Sequence, residues 1–231
     1  MKIVAIVPAA GSGSRLGFKT AKPYIKLGDK PLLAYALLAL QKTKLINSIV
    51  IVAEKKNIKQ AQRLVKRFNI TKAVKVVAGG RIRSESVKNG LCFLSGDTDF
   101  VVIHDGARPF ISTKNIEDCI QAAIKSKAAI CAVRCVSTIK SVDKHLNVVA
   151  TLDRNKLWQI QTPQVFSYTL MKKAYDALTD LKNGFFDDAS LIEQLPYKVK
   201  IVPGSYLNIK ITTKDDLIIA KAILKFAICN M

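Results

Sequence analysis

The sequence predicts a Rossmann-like α/β fold, in which a mostly parallel sheet carries helices on both faces and a β-hairpin arm protrudes. Three observations lead to this fold class. Short β-branched runs alternate with stretches of helical periodicity along most of the 231 residues. A loop of small residues follows the first run, at residues 9–16, as at the end of a buried strand. The alternation breaks between residues 136 and 150, where apolar residues surround a turn-like Asp143-Lys144-His145.

The elements follow from this pattern in chain order. Strands of the sheet are predicted at residues 3–7, 48–53, 73–77, 100–104, 128–133 and 198–202. Helices between and after them are predicted at residues 32–42, 58–68, 86–94, 115–126, 168–178, 188–194 and 215–228. Thr213, with Asp216 three residues on, predicts the N-cap of the last helix.

Composition narrows the class of protein. The first apolar run is short and is interrupted by Pro8, and no other run could span a bilayer, so we expect no signal peptide, no membrane segment and a cytoplasmic location. Five cysteines without a CxxC pair lie among apolar neighbours, which indicates buried, reduced thiols. With His104 and His145 as the two histidines, a structural zinc site is not expected.

The net charge of +20 raises nucleic acid as a partner, since 37 basic residues face 17 acidic ones. The lysines are scattered over most predicted helices, however, without a basic tail or a stripe interleaved with aromatic residues. This distribution favours a generally basic, solvated surface that would also attract small anionic substrates.

The loop at residues 9–16 predicts a site for a nucleotide triphosphate. Its small residues let backbone N–H groups face phosphate oxygens, and Arg15 and Lys22 supply cations close by. It is not a Walker A loop, because no Gly-Lys-Ser/Thr follows, and it is not a dinucleotide fingerprint, because Leu16 stands where glycine is required.

Further polar clusters follow other strands, at the edge of the sheet where α/β proteins bind ligands. The pair Gly79-Gly80 lets main chain approach a flat base, and Ser86 could read the base while it begins a helix. Asp105 and Arg108 could hold a hydroxyl or a magnesium ion and a phosphate, although an ion pair between them is the alternative. Arg154 and Lys210 are further candidates. His104 is interpreted as a packing residue rather than a base, and Trp158 as core or interface.

Seven blocks in order resemble the 2-C-methyl-D-erythritol 4-phosphate cytidylyltransferase family. They are AAGSGSRL, AKPYIKLGDKPLL, GGRIRSESV, VVIHDGARPF, TLDRNKLWQIQTPQVF, DDAS and NIKIT. The resemblance implies one nucleotidyltransferase domain over residues 1–231, with a dimerisation arm at about 136–152. It implies transfer of CMP from CTP to the tetritol phosphate, with Mg²⁺ as cofactor and a homodimer formed through the arm.

The resemblance also implies roles for individual residues. Those expected to stabilise the transition state are Arg15, Lys22 and Lys210. Those expected to bind the nucleotide are Ala9, Ala10, Gly11, Ser12, Gly13, Gly80, Arg81, Ser86 and Ala107. Those expected to bind the sugar-alcohol phosphate are Asp105, Arg108, Thr138, Arg154 and Thr162. The CTP phosphates would hold most of the Mg²⁺ coordination, with Asp105 as a candidate ligand.

Three positions depart from the family pattern. The chain has Pro23 where glutamine usually follows the lysine, Ser137 where an acid precedes the threonine of the arm, and Phe186 where threonine usually stands. Ribitol-5-phosphate cytidylyltransferase is the nearest alternative, since it shares several of these blocks, and a sugar-1-phosphate nucleotidyltransferase is weaker because its loop has another form. From a different class, a basic nucleic-acid-binding module remains open.

Overall fold

The computed structural model describes residues 1–11, 13, 17, 20–177, 185 and 187–229. In chain order, its strands are β1 (Ile3–Ala9), β2 (Lys26–Leu27), β3 (Lys30–Pro31), β4 (Ser48–Ala53), β5 (Ala73–Ala78), β6 (Phe100–Ile103), β7 (Ala128–Arg134), β8 (Ile139–Val142), β9 (Val148–Leu152), β10 (Trp158–Ser167) and β11 (Lys200–Pro203). Seven of them form one sheet in the order β11-β7-β10-β6-β1-β4-β5. Every neighbouring pair is parallel except those of β10, which confirms the mostly parallel sheet.

Helices cover both faces of this sheet, as predicted. They are α1 (Leu32–Lys42), α2 (Ile58–Arg67), α3 (Arg83–Leu91), α4 (Thr113–Ser126), α5 (Tyr168–Asp176), α6 (Ala189–Ile192) and α7 (Lys214–Cys229). One apolar cluster packs α1, α2 and α4 on one face, through side chains such as Leu37 and Ile120. A second packs α3, α5 and α6 on the other, through Val87 and Met171. Because both faces are buried, the inner strands β1 and β6 are apolar throughout rather than alternating.

The longest strand, β10, was not among the predicted elements. It lies antiparallel between β6 and β7, in the middle of the sheet. Gln159, Gln161, Gln164 and Pro163 interrupt its apolar pattern, and the register shifts between Ile160 and Gln164. Tertiary contacts pair the polar side chains of β10, so this strand needs neither an apolar run nor an alternation of apolar and polar residues. Its sequence therefore gives no strand signal.

Other details of the predictions were confirmed or corrected. The helix expected from Ser86 begins three residues earlier, at Arg83. The cap of α7 is present, since Thr213 Oγ1 accepts from Asp216 N at 3.2 Å and Asp216 Oδ2 accepts from Thr213 N at 2.8 Å. Residue 178, the predicted end of α5, lies outside the described residues. Trp158 is half-buried, with the Arg134 guanidinium 4.9 Å from its ring centroid.

Most of the cysteines whose side chains the structure describes are buried, as predicted. Cys119, Cys131 and Cys135 are buried free thiols, whereas Cys92 is exposed at the end of α3, against expectation. No described helix combines the length and apolar character needed to cross a bilayer.

The predicted hairpin is present as β8 and β9, which pair with each other outside the main sheet. Its turn is closed by Asp143, whose Oδ1 accepts from His145 N at 2.8 Å and Asn147 N at 2.9 Å. The hairpin leaves large apolar side chains in solvent: Leu146 is 82% exposed and Val149 is 68% exposed. Such a surface is characteristic of a segment that packs against another chain.

Candidate active site

The carboxyl ends of β1, β5 and β6 open onto a cavity of about 350 Å³, here termed the first cavity. Loops that are distant in sequence meet at this edge because parallel strands end there together. The predicted site residues in its lining are Ala9, Ala10, Gly11, Lys22, Gly80, Arg81, Ser86, Asp105, Ala107 and Lys210. Ser12 and Arg15 lie outside the described residues. The first cavity thus brings Lys22 and Lys210, from opposite ends of the chain, to one place.

Two glycines allow the loops around the first cavity to approach closely. Gly13 has φ +72°, and a Cβ there would lie 2.7 Å from the Lys22 Cβ. A Cβ on Gly79 would lie 2.6 Å from the Ala10 Cβ. Both distances are shorter than side chains permit. Glycine at these two positions therefore lets residue 13 approach Lys22 and lets the loop after β5 approach Ala10.

The loop after β5 is held by its own side chains. Ser86 Oγ accepts from Gly80 N at 3.1 Å and donates to Ile82 O at 3.1 Å. Glu85 Oε2 accepts from Arg81 N at 2.7 Å, although the Arg81 side chain itself is 80% exposed. Ser86 therefore shapes the Gly80 loop from inside α3 instead of capping that helix.

Asp105 lies at the centre of the site, between two cations. Its Oδ2 is 2.6 Å from Lys210 Nζ, and its Oδ1 accepts from Arg83 Nε at 3.0 Å. Burial by itself raises the pKa of Asp105, but Arg83, Lys210 and Arg108 outweigh it and hold that pKa well below the usual range. The carboxylate therefore remains charged at any physiological pH.

Arg83, which had no predicted role, links Asp105 to a second buried acid. Its Nη1 lies 2.7 Å from Asp188 Oδ2, and Tyr175 OH donates to Asp188 Oδ1 at 3.0 Å. Asp188 is 1% exposed, and burial raises its pKa despite the attraction of Arg83. The available signal was the second arginine of GGRIRSESV together with the paired acids of DDAS, which only the fold brings together.

Arg108 is buried but does not form the alternative ion pair with Asp105. Its Nη1 donates to Asn208 O at 2.7 Å, and its Nη2 donates to Ile160 O at 3.3 Å. Carbonyl partners leave its charge unneutralised, and burial lowers its pKa. A buried guanidinium bound to neutral groups retains its capacity to attract a phosphate.

Arg108 and Thr162 line a second cavity of about 450 Å³, which shares Arg83, Asp105 and Lys210 with the first cavity. The two cavities meet at Asp105, so ligands in them would approach each other at its carboxylate. Gln164 Nε2, also in the second cavity, donates to Asp187 Oδ2 at 2.7 Å.

Three of the predicted site residues that the structure describes, Gly13, Thr138 and Arg154, line neither of these cavities. Thr138 and Arg154 are exposed at the base of the hairpin, where Arg154 Nη1 donates to Val136 O at 2.9 Å. Within one chain, the described structure does not bring them to Asp105.

His104 supports the Asp105 loop from beneath. Arg108 O lies 3.3 Å from His104 Nε2, and because a carbonyl oxygen can only accept, this assigns the proton of the neutral ring to Nε2. Nδ1 then accepts from the Thr162 hydroxyl at 3.1 Å, while Thr162 Oγ1 accepts from Asp105 N at 3.0 Å. Complete burial lowers the pKa of His104 to about 4, in agreement with a packing role rather than a basic one.

The pKa of His104 predicts a pH dependence of stability. Because the folded pKa of about 4 lies below the ordinary 6.5, the unfolded chain binds the proton more readily. Stability is full above about pH 6.5 and falls by roughly 3 kcal/mol as the pH decreases towards 4. His104→Gln keeps one acceptor and one donor, so its deficit relative to wild type, measured by urea unfolding at each pH, should shrink over this range. His145→Gln on the exposed turn should keep the wild-type profile, and a His104→Gln deficit independent of pH would contradict the assignment.

A divalent ion fits this donor set only with help from a polyphosphate. Within the described ranges, no three His, Cys, Asp or Glu side chains group closely enough to hold a metal. Asp105 is a carboxylate in the lining of the first cavity. Mg²⁺ is commonly bound through one or two carboxylates together with substrate phosphates, which is the arrangement available here.

Comparisons with known proteins agree with the geometry. Residues 3–226 match the family model for 2-C-methyl-D-erythritol 4-phosphate cytidylyltransferase. The chain is similar to the proteins of that name from Desulforamulus reducens, at 45% identity over 98% of this chain and 97% of the relative, and from Halalkalibacterium halodurans, at 44% over 97% of each. Among solved structures, it resembles 4-diphosphocytidyl-2C-methyl-D-erythritol synthase from Anaerococcus prevotii, with a TM-score of 0.86 and 34% identity over 97% of this chain and 96% of that one.

Proposed function

Because the chain belongs to the 2-C-methyl-D-erythritol 4-phosphate cytidylyltransferase family, it transfers CMP from CTP to 2-C-methyl-D-erythritol 4-phosphate, and we propose that its two adjoining cavities divide these substrates. The first cavity takes CTP, with the phosphates facing Gly11 and Lys22. The second takes the tetritol phosphate, beside Arg108 and Thr162. The observation that carries this assignment is the convergence of Lys22, Asp105 and Lys210 on the first cavity, which meets the second at Asp105 and Lys210.

The reaction needs alignment and charge more than a base. The second pKa of a phosphate monoester is about 6, so the attacking oxygen is already anionic near neutral pH. It attacks the α-phosphorus of CTP in line with the departing pyrophosphate, and the products are pyrophosphate and 4-diphosphocytidyl-2-C-methyl-D-erythritol. We assign Lys22, Lys210 and Arg15 to neutralise the charge that develops on the phosphates.

Asp105 orients the second substrate. Arg83 and Lys210 keep its carboxylate ionised, so it accepts hydrogen bonds from the tetritol hydroxyls and contributes one carboxylate to a magnesium site. Asp105 would hold Mg²⁺ together with the CTP phosphates, and the bound ion would supply positive charge that stabilises the leaving pyrophosphate. We assign Gly80, Arg81 and Ser86 to contact the cytosine. The residues that we assign to contact the phosphates and ribose are Ala9, Ala10, Gly11, Ser12, Gly13 and Ala107.

We further propose a homodimer formed through the hairpin arm, in one nucleotidyltransferase domain over residues 1–231. Its support is the apolar surface of the arm, where Val142, Leu146, Val148 and Val149 are each at least half exposed. Thr138 and Arg154 would then reach the tetritol phosphate in the second cavity of the partner. The free thiols support a cytoplasmic location, because reducing compartments keep cysteines unpaired.

Mixing two inactive variants tests this shared site. Lys22→Ala damages the first cavity of its own chain, whereas Arg154→Ala damages the site of the neighbour. In a symmetric dimer with random mixing, co-refolding should restore about one quarter of wild-type turnover, because half the dimers are mixed and each has one intact site.

A control pair shows whether the recovery comes from sharing. Lys22→Ala mixed with Lys210→Ala removes two residues that line the same cavity of one chain, and should recover nothing. No recovery with Arg154→Ala, in preparations shown to be mixed dimers, would mean that Arg154 serves its own chain.

Substrate choice is tested by pyrophosphate release from CTP and Mg²⁺ with each alcohol phosphate. We expect turnover with 2-C-methyl-D-erythritol 4-phosphate to exceed that with ribitol 5-phosphate, and equal or reversed rates would contradict the assignment. Titration with labelled DNA and RNA completes the test, because a nucleic-acid-binding module would bind them at about micromolar affinity with strong salt dependence.

A further inference from the structure

A third cavity, of about 240 Å³, lies beside the turn that carries Lys22, between that turn, the β2–β3 hairpin and α2. Its rim carries three cations, Lys26, Arg63 and Arg67, and no described carboxylate lines it. Its apolar residues are Tyr24, Pro31, Leu64 and Phe68. Neither the CTP nor the tetritol phosphate assignment uses this cavity.

The three cations are available to a ligand. The nearby salt bridges join Lys30 to Asp29 and Lys56 to Glu54, and none in the described ranges involves the rim. Arg63 Nε makes only a long contact of 3.4 Å to Lys59 O, and the Arg67 guanidinium lies 5.3 Å from the Phe68 ring centroid. Guanidinium groups match the geometry of phosphate oxygens, and three positive charges complement a dianion.

We propose that the third cavity binds a small phosphate ester carrying a ring or a short apolar group, and that this ligand modulates the transferase through Lys22. The phosphate contacts Lys26, Arg63 and Arg67, while the organic group packs on Tyr24 and Phe68. The volume is below that of most drug-sized pockets, which limits the ligand to a small molecule.

The coupling to the first cavity runs through one short 3-10 turn, Lys22–Tyr24. Lys22 and Pro23 line the first cavity, whereas Tyr24 and Lys26 line the third. Tyr24 is 6% exposed, and its hydroxyl donates to Asn57 O at 3.2 Å. Because the turn is closed by a hydrogen bond from Tyr24 N to Ala21 O at 2.9 Å, a ligand that shifts the Tyr24 ring also shifts the backbone of Lys22.

Binding is tested with phenyl phosphate, measured by calorimetry on the full-length protein with saturating CTP and Mg²⁺ to occupy the first cavity. Arg63→Ala/Arg67→Ala should weaken binding by about tenfold or more, the scale of lost charged hydrogen bonds. The matched control is Lys59→Ala/Lys66→Ala, which removes the same charge from exposed positions of α2 outside the cavity lining. The control should bind as the wild type does.

Three results would overturn the site. These are no phenyl phosphate binding to the wild type, equal affinity of the arginine pair variant and the wild type, or equal loss in both double variants, which would indicate a general surface charge effect. Inorganic phosphate should bind more weakly than phenyl phosphate, and equal affinities would overturn the assignment of the organic group to the apolar residues.

Regulation is tested separately, and this part rests on the function proposed for Lys22. Phenyl phosphate should change kcat or the KM for CTP in the wild type and in the lysine control, but not in the arginine pair variant. Binding without any kinetic change would overturn the coupling alone. If no variant or wild-type protein turns over CTP with either alcohol phosphate, the proposed function fails while the binding result stands.

Discussion

Lys22→Ala is expected to lower kcat by about 100-fold or more, the scale of one lost charge contact to a transition state in a preorganised site. Lys22 lines the first cavity, and its backbone is fixed by Pro23 and by the close contact with Gly13. We expect the ammonium on this fixed backbone to stabilise the charge that grows on the phosphates. The rate of pyrophosphate release at saturating substrates measures the effect.

A change of charge elsewhere on this basic protein serves as the control. Lys44→Ala removes an exposed ammonium outside the first cavity and should keep wild-type turnover. A folded Lys22→Ala protein, checked by its thermal melting temperature, that turns over within a few-fold of wild type would remove Lys22 from the mechanism. Arg15→Ala carries the same expected loss, on the family resemblance alone.

Arg83→Met is expected to lower the free energy of unfolding by about 3 kcal/mol, because breaking a buried ion pair leaves an uncompensated charge. Asp188, at 1% exposed, would retain its hydrogen bond from Tyr175, and Asp105 would retain Lys210. We expect a loss of stability at the low end of the range for broken buried ion pairs, because the Arg83 side chain is 29% exposed. Urea unfolding followed by circular dichroism measures the effect.

Two further variants identify the cause of that loss. Arg81→Met changes a side chain in the same loop that is 80% exposed, and should stay within about 0.5 kcal/mol of wild type. Arg83→Met/Asp188→Asn removes the stranded charge as well, so it should recover part of the loss. An Arg83→Met protein as stable as wild type would show that the pair does not stabilise the fold. A double variant less stable than the single one would show that the stranded charge is not the cause of the loss.

The parallel framework was predictable because its signals are local. Residues 48–53 form a strand and residues 32–42 a helix within the predicted bounds, since continuous apolar runs and helical periodicity need no tertiary information. The loops at the strand ends were predictable for the same reason, because a parallel sheet brings those ends to one edge. Ala10, Lys22, Asp105 and Lys210 accordingly line a single cavity.

The partners within the site were not predictable. Asp105 and Arg108 stand three residues apart and looked like a pair, but the backbone turns Arg108 towards the carbonyls of Asn208 and Ile160. The cations that reach Asp105 come from α3 and from the loop after β11. Sequence spacing carries no information on such long-range pairs, because side-chain direction depends on how the elements pack.

The sequence by itself determined six of the seven strands of the sheet, its helices, the loops that meet at one cavity and the family to which the chain belongs. Only the tertiary structure decided that β10 enters the middle of the sheet, that Arg83 joins Asp105 to Asp188, and that His104 is neutral beneath the site. The physical reason is that apolar periodicity is encoded by neighbours along the chain. The charge state and partner of a buried polar group depend instead on desolvation and on groups that folding brings from distant segments.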